Sequence, residues 1–155
     1  MRHLLAFFAP IAAASPAAAQ TAPAPTFDYS IANAVGGTWT YSQSAGGSSA
    51  TFATTPGLPL LTLTCNRPLR RVAIARTASA IAPFLMVWST SMNRNVPAGY
   101  NPATRLLTAE LSAYDKLLDA LAFSRGRIVV GPSNGTPLVV PAWPDIIRVI
   151  EDCRV

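Results

Sequence analysis

Two aspartates, Asp115 and Asp119, lie four residues apart in a segment with helical character, so both carboxylates would share one helical face. A pair of carboxylates can supply general acid and base catalysis, and glycoside hydrolases use such a pair. Each aspartate also has a structural interpretation. Residues 112–115 are typical of a capping signal before a helix, and Asp119 could be solvated near Lys116 or pair with an arginine. The pair therefore supports a hydrolase as an alternative function.

Residues 131–135 read Gly-Pro-Ser-Asn-Gly and match the G-x-S-x-G pattern, in which Ser133 would be the nucleophile. In hydrolases this serine sits between a strand and a helix, but residues 136–141 read as a second strand. The only histidine, His3, lies in a segment that we expect to be removed, so no imidazole would accept the proton of the serine. The pattern favours a hairpin turn, and we expect neither a metal ion nor a cofactor.

Arginine carries nearly all of the positive charge, since Lys116 is the only lysine. Planar guanidinium groups bind carboxylate or phosphate through two hydrogen bonds. The candidate anion ligands flank one strand and one helix-to-strand junction: Arg67, Arg70, Arg71, Arg125 and Arg127. The expected partner is an anionic envelope glycan, a lipid or an acidic protein surface. The alternative is that these arginines keep strand edges soluble and pair with nearby carboxylates.

The overall charge argues against a nucleic-acid partner. The formal net charge is +5 over 155 residues, and the arginines are spread along the chain. A nucleic-acid-binding domain instead has a dense basic stripe or patch.

The first nineteen residues have the composition of a secretory signal peptide. A charged start at residues 1–3 precedes an apolar run at 4–14 and a small-residue cleavage site at 17–19. The apolar run is too short to span a bilayer in a mature protein, and no later run approaches the roughly 20 residues needed, so we expect no transmembrane segment. We expect cleavage after Ala19, an extended leader at 20–26, and one globular domain at 27–155 in the periplasm or outside the cell.

Cys65 and Cys153 are the only cysteines. An even number of cysteines in an exported chain indicates a disulfide, because the compartment is oxidising. Two free thiols, or a bridge between two molecules, remain the alternatives.

Alternating apolar and polar residues predict β-strands along most of the domain. The predicted strands are 38–42, a short strand centred on Phe52, 61–65, 70–76, 84–89, 105–111, 127–130 and 138–140. Residues 92–102 are rich in Asn, Pro and Gly and predict a long surface loop.

Two segments have helical periodicity. Leucines at 117, 118 and 121 predict a helix that ends at Gly126. In the second helix, which begins at Pro144, apolar residues recur at 146, 149, 150 and 153. The predicted fold class is α+β, a mainly antiparallel β-sheet or sandwich with two helices, the C-terminal one disulfide-linked to a strand.

Three segments carry a family resemblance: the strand Leu-Thr-Leu-Thr-Cys at 61–65, the helix and turn at 117–127, and the closing helix at 146–153. In this order they resemble small uncharacterised exported proteins of alphaproteobacteria. More distantly, they resemble the β-rich periplasmic proteins of the invasion-associated locus B type. The resemblance covers most of the chain after residue 19 and implies a β-rich architecture in the periplasm, and it brings no catalytic residue with it.

Export, the loss of the only histidine and the lack of a catalytic constellation favour a non-enzymatic domain that binds or modulates a component of the cell envelope. The first alternative is a hydrolase that uses Asp115 and Asp119. The second is a structural or inhibitory protein that acts through a protein interface, which would present an exposed aromatic patch.

Overall fold

The computed structural model describes residues 28–155. The predicted signal peptide at 1–19 and the predicted leader at 20–26 lie outside the described residues, as does Phe27. Within residues 28–155, the helices fall short of the length and apolar character that a bilayer-spanning segment requires.

About half of the described residues belong to one curled sheet. Its nine strands are β1 (Thr38–Ser44), β2 (Gly47–Thr55), β3 (Leu58–Asn66), β4 (Arg71–Thr77), β5 (Phe84–Trp88), β6 (Asn93–Asn101), β7 (Leu106–Ser112), β8 (Arg127–Pro132) and β9 (Leu138–Pro141). Their order across the sheet is β1-β2-β3-β4-β7-β6-β5-β8-β9, and all neighbours are antiparallel. The prediction of a mainly antiparallel sheet with helices is confirmed. The sandwich is not confirmed, because these strands form a single sheet.

The strand β3 shows how alternation places its side chains. Leu61, Leu63 and Cys65 are buried inside the curl, while Thr62 and Thr64 lie on the opposite face. Threonine is β-branched, and β-branched residues favour the extended backbone of a strand. The residues on both faces of β3 therefore favour this element.

The predicted surface loop at 92–102 is wrong, because β6 runs through these residues. The first half of β6 pairs with β5, and Ala98–Asn101 pairs with β7. Pro97, which has no backbone N–H to donate, lies where the strand changes partner. Val96 is the only buried residue of β6, so its sequence carries no alternating apolar pattern. Long-range pairing makes this segment a strand despite its turn-forming composition.

The helix α1 (Lys116–Ala122) connects the end of β7 to the start of β8. Asp115 caps it, since its carboxylate accepts a hydrogen bond of 2.8 Å from the backbone N–H of Leu117. The helix ends at Ala122, so the prediction that Gly126 ends it is wrong by one turn. Gly126 lies in the following turn with φ +80°, a conformation that favours glycine.

The helix α2 (Pro144–Asp152) follows β9 and packs against β1, β2, β3 and α1. Pro144 occupies its first turn, where the missing N–H costs no helical hydrogen bond. Its buried residues, Ile146, Val149 and Ile150, follow the predicted spacing. Both helices lie where β7 and β9 end and β8 begins, and we call this side of the sheet the helix end.

The predicted disulfide is confirmed. Cys153 directly follows α2 and is bonded to Cys65 near the end of β3. The two Cα atoms are 5.4 Å apart, within the usual range for a disulfide. Both cysteines are buried, so the bond fastens the closing helix to the inner face of the sheet.

The two edges of the sheet are drawn together. The backbone N–H of Val35, just before β1, donates to the carbonyl oxygen of Val139 at 2.9 Å. The indole of Trp39 donates to the carbonyl oxygen of Pro141 at 2.9 Å. These bonds use polar groups that an open edge strand would expose, and the enclosed face holds the main hydrophobic core.

Candidate functional site

A groove of about 450 Å³ lies on the outer face of β5 and β6. In β5, Leu85 and Val87 are fully buried inside the curl, so Met86 and Trp88 face outward. In the β5–β6 register, Trp88 lies opposite the Asn at 93 and Met86 lies opposite the Asn at 95. The register therefore places an apolar strip, Met86 and Trp88, beside a polar strip, Asn93 and Asn95.

The other wall of the groove comes from the segment 28–35. The ring of Tyr29 packs on Trp88, with centroids 5.9 Å apart and planes tilted by 53°. Ala32 packs with Val129 on the same outer face. The guanidinium of Arg127 donates a hydrogen bond to the carbonyl oxygen of Ala32. This contact holds the segment against the sheet and keeps the wall in place.

The polar groups of the groove suit non-covalent binding. Asn93 and Asn95 are exposed, and their side-chain amides form no hydrogen bond with any residue from 28 to 155. Each amide can donate and accept hydrogen bonds. Asp28 adds a carboxylate, whose pKa is lowered because the hydroxyl and the backbone N–H of Ser30 both donate to it.

Asp115 and Asp119 pair with different arginines. The guanidinium of Arg94 donates to Asp115 at 2.8 Å, and that of Arg154 donates to Asp119 at 2.6 Å. Burial acts to raise the pKa of Asp115, but the bonds from Arg94 and from the N–H of Leu117, with the charge of Arg94, outweigh it and lower that pKa. A general acid needs a raised pKa, so this geometry gives the hydrolase alternative no support.

We expect Asp115→Ala to destabilise the protein by about 1–2 kcal/mol at pH 7, because it removes the cap of α1 and the pairing with Arg94. The folded state lowers the pKa of Asp115, so its charge stabilises the fold above the unfolded pKa of about 4. That contribution is lost as the pH falls through the folded value. Urea unfolding at several pH values should show the difference from the native protein shrinking below about pH 4.

The matched control is Asp115→Asn, which keeps a good capping side chain and removes the charge. We expect this variant to lose part of the stability at pH 7. A difference between Asp115→Ala and the native protein that stays constant down to pH 2 would contradict a role for the charge.

The predicted anion ligands lie in two groups, and the first surrounds the β3–β4 turn at the helix end. Arg67 donates to the last backbone carbonyl of α2 at 3.2 Å. Arg70 donates to the hydroxyl of Tyr114 at 2.5 Å, and Arg71 lies 3.7 Å from the carboxylate of Glu110. Of these three arginines, Arg71 alone forms an ion pair with a carboxylate, while Arg67 and Arg70 bond a backbone carbonyl and a tyrosine hydroxyl.

The second group lies at the α1–β8 turn. Arg127 is held by its bond to the segment 28–35, whereas Arg125 is exposed. The backbone N–H of Arg125 donates to the hydroxyl of Thr90 at 3.3 Å. Within residues 28–155, no hydrogen bond or ion pair links this group to the first, and a single anion-binding patch stays a prediction.

A polar cluster joins α2 to the first hairpin. The hydroxyl of Tyr41 donates to the carboxylate of Asp152 at 2.6 Å, and this bond, followed by burial, raises the pKa of Tyr41. Two nearby hydroxyls lower the pKa of Asp152, and the effect of Ser48 is larger than that of Tyr41. Ser48 is buried, and its hydroxyl does not reach hydrogen-bonding geometry within residues 28–155. Tyr41 is therefore the contact that fixes the carboxylate.

Residues 131–135 belong to the hairpin between β8 and β9, so the preferred interpretation of the G-x-S-x-G pattern is confirmed. The backbone N–H of Ser133 donates to the carbonyl oxygen of Phe84 at 3.0 Å. Within residues 28–155, no three or more His, Cys, Asp or Glu side chains come together as a candidate metal site.

Comparisons with protein-family models, with curated proteins and with solved structures found no match. The resemblance to exported alphaproteobacterial proteins therefore stays a prediction.

The groove was not predicted from the sequence. Its polar strip comes from β6, which the composition of 92–102 assigns to a loop, and its second wall comes from residues with no periodic pattern. One signal was present, since alternation in β5 puts Met86 and Trp88 on the face opposite Leu85 and Val87. That signal shows an outward-facing tryptophan but not its neighbours.

Proposed function

We propose that this protein is an exported, non-enzymatic domain that binds a glycan of the cell envelope in the groove between residues 28–29 and β6. One observation carries the proposal. The pair formed by Trp88 and Tyr29 lies beside two exposed asparagine amides, Asn93 and Asn95, that have no hydrogen-bond partner within residues 28–155.

This combination matches the chemistry of a sugar ring. A pyranose ring has an apolar face of C–H groups, which can pack on an aromatic face, and a rim of hydroxyl groups. The hydroxyls need partners that both donate and accept hydrogen bonds, and the side-chain amide does both. A few placed polar groups beside an apolar wall are also the usual composition of a ligand site.

Two features support an extracytoplasmic location. The first nineteen residues have the three regions of a signal peptide. The bond between Cys65 and Cys153 is of a kind that persists in oxidising compartments and is rare in the cytosol. We place the protein in the periplasm or outside the cell, where envelope glycans are accessible to it.

The test uses the full-length chain expressed in an exporting host, whose purified product is defined by its intact mass. Removal of the predicted signal peptide would leave Gln20 as the first residue. Binding of soluble peptidoglycan fragments, and of neutral and acidic polysaccharides, is measured by calorimetry and by tryptophan fluorescence. We expect saturable binding of at least one glycan and a change in the tryptophan fluorescence, to which Trp88 in the groove contributes.

The variant Asn93→Ala with Asn95→Ala should weaken binding by about tenfold, because each lost hydrogen bond contributes about 0.5–1.5 kcal/mol. The matched control is Gln43→Ala, which removes an exposed amide from β1 at the other side of the sheet. We expect the control to bind like the native protein. Failure of every glycan to bind, or equal binding by the double variant, would overturn the proposal.

A further inference from the structure

Four connections form a continuous rim at the end of the sheet opposite the helices. The antiparallel register places the β2–β3, β4–β5, β6–β7 and β8–β9 connections at the same end. We call this surface the rim, residues 56–59, 78–84, 102–105 and 133–137.

Hydrogen bonds tie these connections to one another. The hydroxyl of Thr77, at the end of β4, donates to the carbonyl oxygen of Pro59 at 2.9 Å. The backbone N–H of Ala78 donates to the carbonyl oxygen of Arg105 at 2.9 Å. The side-chain amide of Asn134 donates to the carbonyl oxygen of Ile81 at 3.1 Å. The rim is therefore one surface and not four independent loops.

The rim carries no carboxylate. Its one charged residue is Arg105. All seven aspartates and glutamates of the described chain lie elsewhere: Asp28, Glu110, Asp115, Asp119, Asp145, Glu151 and Asp152. An anionic surface that approaches the rim would therefore meet no negative side chain on it.

A second arginine lies just inside the rim. Arg76, near the end of β4, crosses the curl and donates to the carbonyl oxygen of Val130 at 2.6 Å. It forms no ion pair with any residue from 28 to 155, so its charge is not neutralised by a carboxylate in that range. Because Arg76 is partly buried, water and ions screen its charge less than they would screen the charge of a fully exposed arginine. Arg76 thus adds to the positive potential at this end.

Large apolar side chains project from the same surface. Leu58 is 64% exposed, Ile81 is 72% exposed and Phe84 is 40% exposed. Exposed apolar side chains also occur at the helix end, where Phe123 is an example, but Asp115 and Asp119 lie on the adjoining helix. Within residues 28–155, the rim combines projecting apolar side chains with positive charge and no carboxylate.

We propose that the rim docks on an anionic lipid bilayer, with Leu58, Ile81 and Phe84 entering the headgroup region and Arg105 facing the lipid phosphates. Amphipathic surfaces bind membranes in this way, through buried apolar area and attraction to anionic lipids. This interaction goes beyond glycan binding and does not depend on it, since the groove lies on the outer face of β5 and β6. A protein held by its rim would keep that groove free.

The test is flotation of the protein purified from the exporting host. The vesicles contain phosphatidylcholine alone or phosphatidylcholine with one-third phosphatidylglycerol. We expect binding to the anionic vesicles only, weakened when added salt reduces the Debye length from about 10 Å to about 3 Å. The variant Leu58→Ser with Ile81→Ser should lower the partition coefficient at least tenfold. Arg105→Asn should lower it about fivefold. Asparagine is chosen because residue 105 has φ 55° and asparagine tolerates that conformation.

The matched controls, Phe123→Ser and Arg148→Gln, remove an exposed apolar side chain and an exposed arginine at the helix end. Both should bind the anionic vesicles like the native protein. The proposal is overturned by an absence of binding, by equal binding to neutral vesicles, or by greater loss in the helix-end variants than in the rim variants. Binding only to an acidic protein surface would likewise overturn it.

Discussion

Replacing Cys65 and Cys153 together with alanine should lower the free energy of unfolding by about 4–5 kcal/mol. The bond closes a loop with a sequence separation of 88 residues, and a cross-link of that length removes a large part of the chain entropy of the unfolded state. Such a loss is a large fraction of the stability of a typical domain. Thermal unfolding should shift down by roughly 15–20 °C in oxidising buffer.

The two single variants serve as the controls, because either one already breaks the bond. We expect each single variant to lose nearly as much stability as the double variant, which is strongly non-additive behaviour. Excess reductant should lower the native protein to the level of the double variant and leave that variant unchanged. A native protein whose unfolding is insensitive to reductant, under conditions where mass spectrometry shows free thiols, would contradict a stabilising role for the bond.

The elements predictable from the sequence are those whose signal lies among neighbouring residues. In β3, three buried side chains alternate with two threonines, and in α2 three buried side chains follow helical spacing after Pro144. The turn residues between β8 and β9 likewise identify a hairpin. In each case one short segment contains both the preference for the element and the face that it buries.

The strand β6 and the groove depend on contacts between segments that are distant in the sequence. Nothing within residues 92–102 specifies a strand, and β6 exists because β5 and β7 pair with its two halves. The groove depends on the same pairing, since Asn93 becomes a neighbour of Trp88 only through the β5–β6 register. A candidate site of this kind cannot be predicted before the strand order is known.

For the arginines, the sequence gives the positions of the side chains along the chain but not the groups that they contact. The sequence identifies Arg67, Arg70 and Arg71 as a local group, and the structure places them together at the β3–β4 turn. It does not indicate that Arg67 would donate to the end of α2 or that Arg70 would donate to the hydroxyl of Tyr114. Nor does it indicate that Arg76 would reach a carbonyl of β8, because that contact depends on the curl of the sheet.

Replacing Ile150 with alanine should destabilise the protein by about 2–5 kcal/mol, the usual cost of removing a buried isoleucine side chain. Ile150 is 1% exposed and lies on the face of α2 that packs on the sheet. The loss has two parts, because the deleted carbon atoms no longer leave water on folding and the neighbours cannot fully close the cavity. Urea unfolding with an unchanged m-value would measure this loss directly.

Ile147→Ala is the matched control, since it makes the same chemical change on the same helix at a residue that is not fully buried. Alanine favours helix slightly more than isoleucine does, so both variants gain the same small benefit from helix propensity. We expect Ile147→Ala to cost about 1 kcal/mol or less, and both variants to behave like the native protein in the proposed glycan-binding assays at temperatures where they are folded. The helix packs on β1, β2 and β3, while the groove lies on β5 and β6. Equal losses for the two variants would mean that the burial of α2 on the sheet does not determine its contribution to stability.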